Sequence, residues 1–112
     1  MLTEVLIEVV RNIQTFNCEM QTIEVKAAHQ GCPKRLYDTL SSFSNQDGGG
    51  IIIFGLDERD DFNVVGGYAP QDLQKKVTEQ CKEMEPSVRA LFSVAEIDGM
   101  TVVSAEIPGV DI

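Results

Sequence analysis

The sequence predicts an α+β fold, a single mixed β-sheet with helices packed on it, in the order αβαββαββ. Three observations predict it. Apolar residues recur at helical spacing in three separate stretches. Between and after these lie short runs that alternate or are continuously β-branched, the pattern of strands. Asp98-Gly99 then divides two apolar runs near the end of the chain, and Asp-Gly is the strongest short-range hairpin signal. At 112 residues and 43% hydrophobic content the expectation is one folded domain over 1–112. The closing "EIPGVDI" follows a strand abruptly, so the domain reads as the N-terminal part of a longer protein.

The elements follow in order. Leu2, Val5, Leu6, Val9, Val10 and Ile13 form one apolar stripe, and Thr3-Glu4 suits a helix start, giving a helix over 3–14. Asn17 begins a break. In "TIEVKAA" Ile23, Val25 and Ala27 point one way and Thr22, Glu24 and Lys26 the other, as in a half-buried strand over 22–27. "HQGCP" is a turn. Pro33 fits a first helical position, where a missing N–H costs nothing, so a second helix is expected over 33–45, with Leu36, Tyr37, Leu40 and Phe43 as its apolar stripe. "GIIIFGLD" reads as a strand covered on both faces, and "NVVGG" as a short strand ending in a turn. Leu73, Val77, Cys81 and Met84 mark the buried face of a third helix, opened by Pro70 and closed before Pro86. "RALFSVAEI" and "MTVVSAEI" are the hairpin strands.

Eighteen acids against nine bases give a net charge of -9. Nucleic-acid binders usually carry the opposite sign, because phosphate neutralisation supplies most of their affinity. Binding would therefore rest on a local basic stripe. The longest apolar run, "IIIFGL", is far too short to span a bilayer, and no signal-peptide pattern opens the chain. A cytoplasmic protein with no membrane association is expected. Cys18, Cys32 and Cys81 are widely spaced without a C-x-x-C, which predicts free thiols.

The segment "SNQDGGGIIIFGLDE" places three glycines before the β-branched run. A Walker phosphate loop needs Lys and Ser or Thr after its last glycine and then a helix. Here Ile51 and a strand follow, so the segment lacks that chemistry. The glycines are expected to be conformational. Gly48 would end the second helix left-handed, Gly49 and Gly50 would let the chain reverse, and Gly55 would mark a bulge or a close backbone approach. An open, side-chain-free mouth could also admit a phosphate backbone.

Glu24 and Lys26 project from one strand face, about 7 Å apart along the chain. Metal nucleases use such an E-x-K strand, with the carboxylate on a divalent cation and the lysine steadying developing charge. Glu19, and Asp57 or Glu58, are the available further carboxylates if strands 22–27 and 50–57 pair. The alternative is an ordinary surface ion pair between Glu24 and Lys26. Lys34 and Arg35 sit at the opening of the second helix and could touch a phosphate backbone; a solvated helix face is the alternative. His29, the one histidine, has no nucleophile-elbow context.

Taken together, "E-x4-E-V-K" from Glu19 to Lys26, a helix, "SFSNQDGGGIIIFGLDE", then "VVGG" and a helix resemble the Schlafen-type Alba-like domain, also described as a divergent AAA-type DNA-binding domain. That family's pattern reads E-x-E-x-K, a helix, "AFANTxGGxLxxGVxD", then "V-x-G". The resemblance covers about 17 to 108, and "EIPG" is similar to its closing strand and proline. Serine stands on both sides of Phe43 where the family has alanine, and Asp47 precedes the glycines.

The resemblance implies a mixed α/β domain of a bacterial transcriptional regulator that binds DNA or RNA. Lys26, Lys34, Arg35, Asn45, Gly48 and Gly49 are the expected contacts. It also implies an alternative, a metal-dependent ribonuclease. There Glu19, Glu24, Lys26 and Asp57 or Glu58 would be catalytic, and Glu19, Glu24 and Asp57 would hold Mg²⁺ or Mn²⁺. A third expectation is a protein-interaction domain, with a homodimer formed through an uncovered sheet edge.

Overall fold

The computed structural model describes residues 1–19, 22–67 and 69–109. Helix α1 runs Thr3–Phe16, strand β1 Ile23–Lys26, helix α2 Tyr37–Ser44 and strand β2 Gly50–Phe54. Strand β3, Leu56–Asp57, continues into a 3₁₀ turn at Glu58–Asp60 and returns as β4, Asn63–Val64. Helix α3, Pro70–Lys82, precedes the hairpin of β5, Leu91–Ile97, and β6, Met100–Ile107.

The main sheet has four strands in the order β1-β2-β6-β5. β1 pairs parallel with β2, while β2–β6 and β6–β5 are antiparallel, so the sheet is mixed as expected. Helices cover both faces. On one face Leu6, Val10 and Ile13 of α1 pack on Ile23, Val25, Ile53, Ala95, Ile97 and Val102. On the other, Leu40 and Phe43 of α2 and Leu73, Val77 and Cys81 of α3 pack on Ile52, Phe54, Val103, Ala105 and Ile107. Ile52, Ile53 and Phe54 are fully buried, because β2 is a central strand sandwiched between helices. The β-branched run therefore has its expected explanation. At the hairpin tip Asp98 and Gly99 both take positive φ, 54° and 77°, as a type I′ turn requires.

Two elements begin or end elsewhere than their sequence signals place them. α1 runs on to Phe16 and is closed by Asn17 in the left-handed conformation (φ 52°). α2 starts at Tyr37, not at Pro33. The reason is tertiary. The Gln80 side chain on α3 accepts from the Leu36 N–H (3.0 Å) and donates to the Pro33 carbonyl (2.8 Å). Those bonds, with Leu36 fully buried beneath, hold 33–36 as a fixed non-helical lead-in.

The long strand divides at Gly55 (φ 117°). Its carbonyl accepts from Val65 and Gly66, and a Cβ there would lie 3.3 Å from Gly66 and from the Thr101 carbonyl. This close approach peels β3 away to pair with β4 as a separate ribbon. The glycine triplet is likewise packed by its own protein. Helix α2 closes at Asn45, with φ −92°, so Gly48 does not terminate it. Gly48 (φ 79°) and Gly49 (φ 67°) instead form a separate turn. A Cβ on Gly49 would fall 1.8 Å from the Ile107 carbonyl oxygen, and one on Gly50 would fall 2.3 Å from the Phe43 ring. The missing side chains let β2 enter beneath α2 and beside the exit of β6.

Candidate functional site

Pairing of β1 with β2 fixes where the acids go. The register sets Glu24 opposite Ile52 and Lys26 opposite Phe54. Glu24 and Lys26 therefore point to the α2/α3 face, but from an edge strand that leaves both half-exposed. Lys26 Nζ lies 3.3 Å from Glu24 Oε1. Such a pair in partial contact with water contributes about 0–1 kcal/mol.

Glu19 reaches the same end of β1. Its carboxylate lies near the Val25 N–H, on the free edge of the strand, and near the Glu24 and Glu58 carboxylates. Desolvation, then the charges of Glu24 and Glu58, push its pKa up to about 7. Glu58 is thus the acid of the Asp57–Glu58 pair that the fold brings to Glu19. Asp57 turns its carboxylate to the Arg59 N–H (3.0 Å), capping the 3₁₀ turn. Glu19, Glu24, Lys26 and Glu58 form one cluster at the C-terminal end of β1. Among the described residues, no group of three His, Cys, Asp or Glu side chains is placed to hold a metal ion. The cluster as folded sets Glu19 and Glu58 beside the Glu24–Lys26 ion pair.

Lys34 and Arg35 lie on the lead-in to α2, which Gln80 fixes. Both are exposed, and among the described residues neither is held in an ion pair. A cleft of about 340 Å³ opens beside them, lined also by Tyr37, Asp38, Gln80 and Glu83. Tyr37 is 61% exposed.

Asn45, Gly48 and Gly49 are elsewhere. They follow the far end of α2, whose eight residues span about 12 Å. Along the sheet, the glycine turn opens β2 whereas Lys26 faces its last residue, about 13 Å further on. Gly49 is buried and its N–H already donates to the Gln46 carbonyl (3.1 Å). The glycine turn borders a different cleft, of about 450 Å³, with Arg89, Leu91 and Glu106. The six expected nucleic-acid contacts therefore lie apart: Lys34 and Arg35 share one cleft, Lys26 sits on the edge strand, and Asn45, Gly48 and Gly49 follow the far end of α2.

Sequence reasoning missed Tyr37 and Gln80. The sequence pattern puts Tyr37 in the apolar stripe of α2, yet Leu36, Leu40 and Phe43, spaced by four and three, are the buried set. That spacing already leaves Tyr37 off the stripe. Gln80 carries no local signal, because its role is a contact with residues more than forty positions away.

A mixed four-stranded sheet between helices, with an acid–lysine edge strand and a glycine turn packed against the closing strand, makes this an α+β domain. The chain belongs to the Schlafen, AlbA_2 family, whose profile matches residues 19–111. No curated protein matches it. Among solved structures it is similar to the N-terminal domain of a DNA helicase RecG-related protein from Nitrosomonas europaea. The TM-score is 0.72 at 24% identity, over 93% of this chain and 72% of that one. It also resembles the DIP2311 protein from Corynebacterium diphtheriae, with TM-score 0.57 and 15% identity, over 96% of this chain. The chain spans only 25% of that second structure's length. Both likenesses concern the fold. No helix among the described residues is long and apolar enough to cross a membrane.

Proposed function

We propose that the domain binds nucleic-acid backbone through Lys26, Lys34 and Arg35, as one domain of a longer, cytoplasmic bacterial transcriptional regulator. The observation that carries this reading is the pair of exposed cations, in no ion pair among the described residues, on a lead-in whose shape is set by Gln80. Cations free of internal ion pairs are available to phosphate, and a fixed loop loses little entropy when it is engaged. Membership of the Schlafen, AlbA_2 family supports the reading, as does the DNA-helicase naming of the Nitrosomonas europaea relative.

Contact between these cations and phosphate makes binding salt-sensitive, against a net charge of -9 that opposes it. Titration of labelled DNA and RNA at low salt should show binding that weakens steeply as salt rises. A Lys34→Ala/Arg35→Ala variant should lose most of it. Flat titrations for both nucleic acids would overturn the proposal. Metal-dependent cleavage of the RNA, abolished in Glu24→Gln, would move the reading from binding to hydrolysis.

A further inference from the structure

Three features beside Lys34 and Arg35 are not used by backbone contact. The Tyr37 ring stands 61% exposed at the first turn of α2, next to both cations. The cleft it borders also holds the acids Asp38 and Glu83. A second cleft, of about 310 Å³ and sharing Lys34, Gln80 and Glu83 with the first, continues along α3 past Lys76.

From these we infer that the domain selects single-stranded nucleic acid, with one unpaired base stacked on Tyr37 and its flanking phosphates on Lys34 and Arg35. The inference rests on the backbone-binding reading above and names the form of nucleic acid it takes. Two arguments favour a single strand over a duplex.

The first is charge. A duplex presents one negative charge per about 1.7 Å, and affinity for it grows with the number of cations that meet phosphates. Here the free cations are few and acids stand among them. A duplex would bring many phosphates against Asp38 and Glu83. One unpaired nucleotide brings only its own, and stacking then supplies affinity that does not depend on charge.

The second is the chemistry of the cleft. Acids repel phosphate but accept hydrogen bonds from exocyclic amino groups, as carboxylates do from cytosine N4. Asp38 and Glu83 beside an aromatic face therefore suit a base edge, while Lys34 and Arg35 suit its phosphates. Each cleft lies at the small end of the range for ligand pockets, about 300–1,000 Å³, a size that fits single nucleotides in succession. The Gln80 bonds to Pro33 and Leu36 hold the ring and the cations in fixed relation.

The chain has no tryptophan and two tyrosines, so tyrosine emission reports on the site directly. In a Tyr68→Phe background, Tyr37 is the sole tyrosine. Single-stranded homopolymer oligonucleotides should quench its emission saturably, and the matching duplex should not. Parallel DNA and RNA arms identify which sugar is preferred. Tyr37→Ala should weaken single-strand binding roughly 5- to 150-fold with an unchanged salt slope, and Tyr37→Phe should restore it. Lys34→Ala/Arg35→Ala should instead flatten the salt slope. Undiminished single-strand binding by Tyr37→Ala, or equal affinity for the duplex, would overturn the inference and leave backbone binding standing. No binding to any strand by the wild-type chain would overturn both.

Discussion

Glu19 lies beside Glu58, with Glu24 also close enough for its charge to be felt. Desolvation first, then the neighbouring charges, hold Glu19 protonated up to about pH 7, against an ordinary value of 4.5. The Val25 N–H opposes the shift by favouring the ionised form.

A raised carboxyl pKa makes the folded state bind more protons than the unfolded one between 4.5 and about 7. Stability from this group is complete below 4.5, falls as pH rises through that window, and is lost above it. Melting followed from pH 5 to 8 should show this decline. In Glu58→Gln the Glu19 pKa, read by NMR of its side-chain carboxyl, should drop but stay above the ordinary value, because desolvation persists. A Glu19 pKa unmoved by that change would show that the two carboxyls do not interact.

Gln80 holds two backbone groups with one amide, at 3.0 Å to Leu36 and 2.8 Å to Pro33. Gln80→Ala removes both bonds and strands the partly buried N–H and C=O. A loss of about 1–3 kcal/mol is expected in urea unfolding. Nucleic-acid binding should weaken as well, since Lys34 and Arg35 then lose their fixed positions. A variant as stable as the parent would mean that Leu36 packing alone sets the lead-in.

The same clamp explains where the sequence could and could not be read. The three helices, the sandwiched β2 and the Asp98–Gly99 turn are legible because each has a local signature: periodicity, β-branching or turn chemistry. The β1–β2 pairing joins segments on either side of a helix and has no such signature. The start of α2 was not legible either, because Pro33 offers a sound local start and loses to a side chain on another helix. The acid cluster was legible as a set, but the choice between Asp57 and Glu58 was not. It depends on a 3₁₀ turn that recruits Asp57 as its cap and swings Glu58 to Glu19. Glycine needs at 48–50 were visible as flexibility. That Gly49 and Gly50 are filled by Ile107 and Phe43, rather than open to a ligand, required the fold.

Ser104 sits fully buried on β6 with its hydroxyl unpaired among the described residues. Its cross-strand neighbour Ser93 is already committed, accepting from the Met1 amine (3.0 Å) and donating to the Met1 carbonyl (2.7 Å). A buried hydroxyl without a partner loses hydration and gains nothing in return. Ser104→Ala should therefore leave stability equal or raise it by up to about 1 kcal/mol. Chemical denaturation measures this; a loss above that size would reveal a partner for the hydroxyl.

Gly48 and Gly49 share a left-handed conformation but not a neighbourhood, and that contrast separates backbone preference from packing. Around Gly48 an added Cβ meets nothing within 4 Å, so Gly48→Ala should cost only the left-handed penalty, about 1–2 kcal/mol. On Gly49 the same methyl would lie 1.8 Å from the Ile107 carbonyl oxygen and 2.8 Å from the Gly109 nitrogen. Both are backbone atoms and cannot swing aside as a side chain end can. The turn or the end of β6 must move, and Gly49→Ala should cost more than about 4 kcal/mol, in the range reserved for severe core lesions. Paired denaturation curves decide the matter. Equal losses at the two positions would mean that Gly49 is needed only for its φ, and that the contact between the glycine turn and the closing strand is loose enough to accept a side chain.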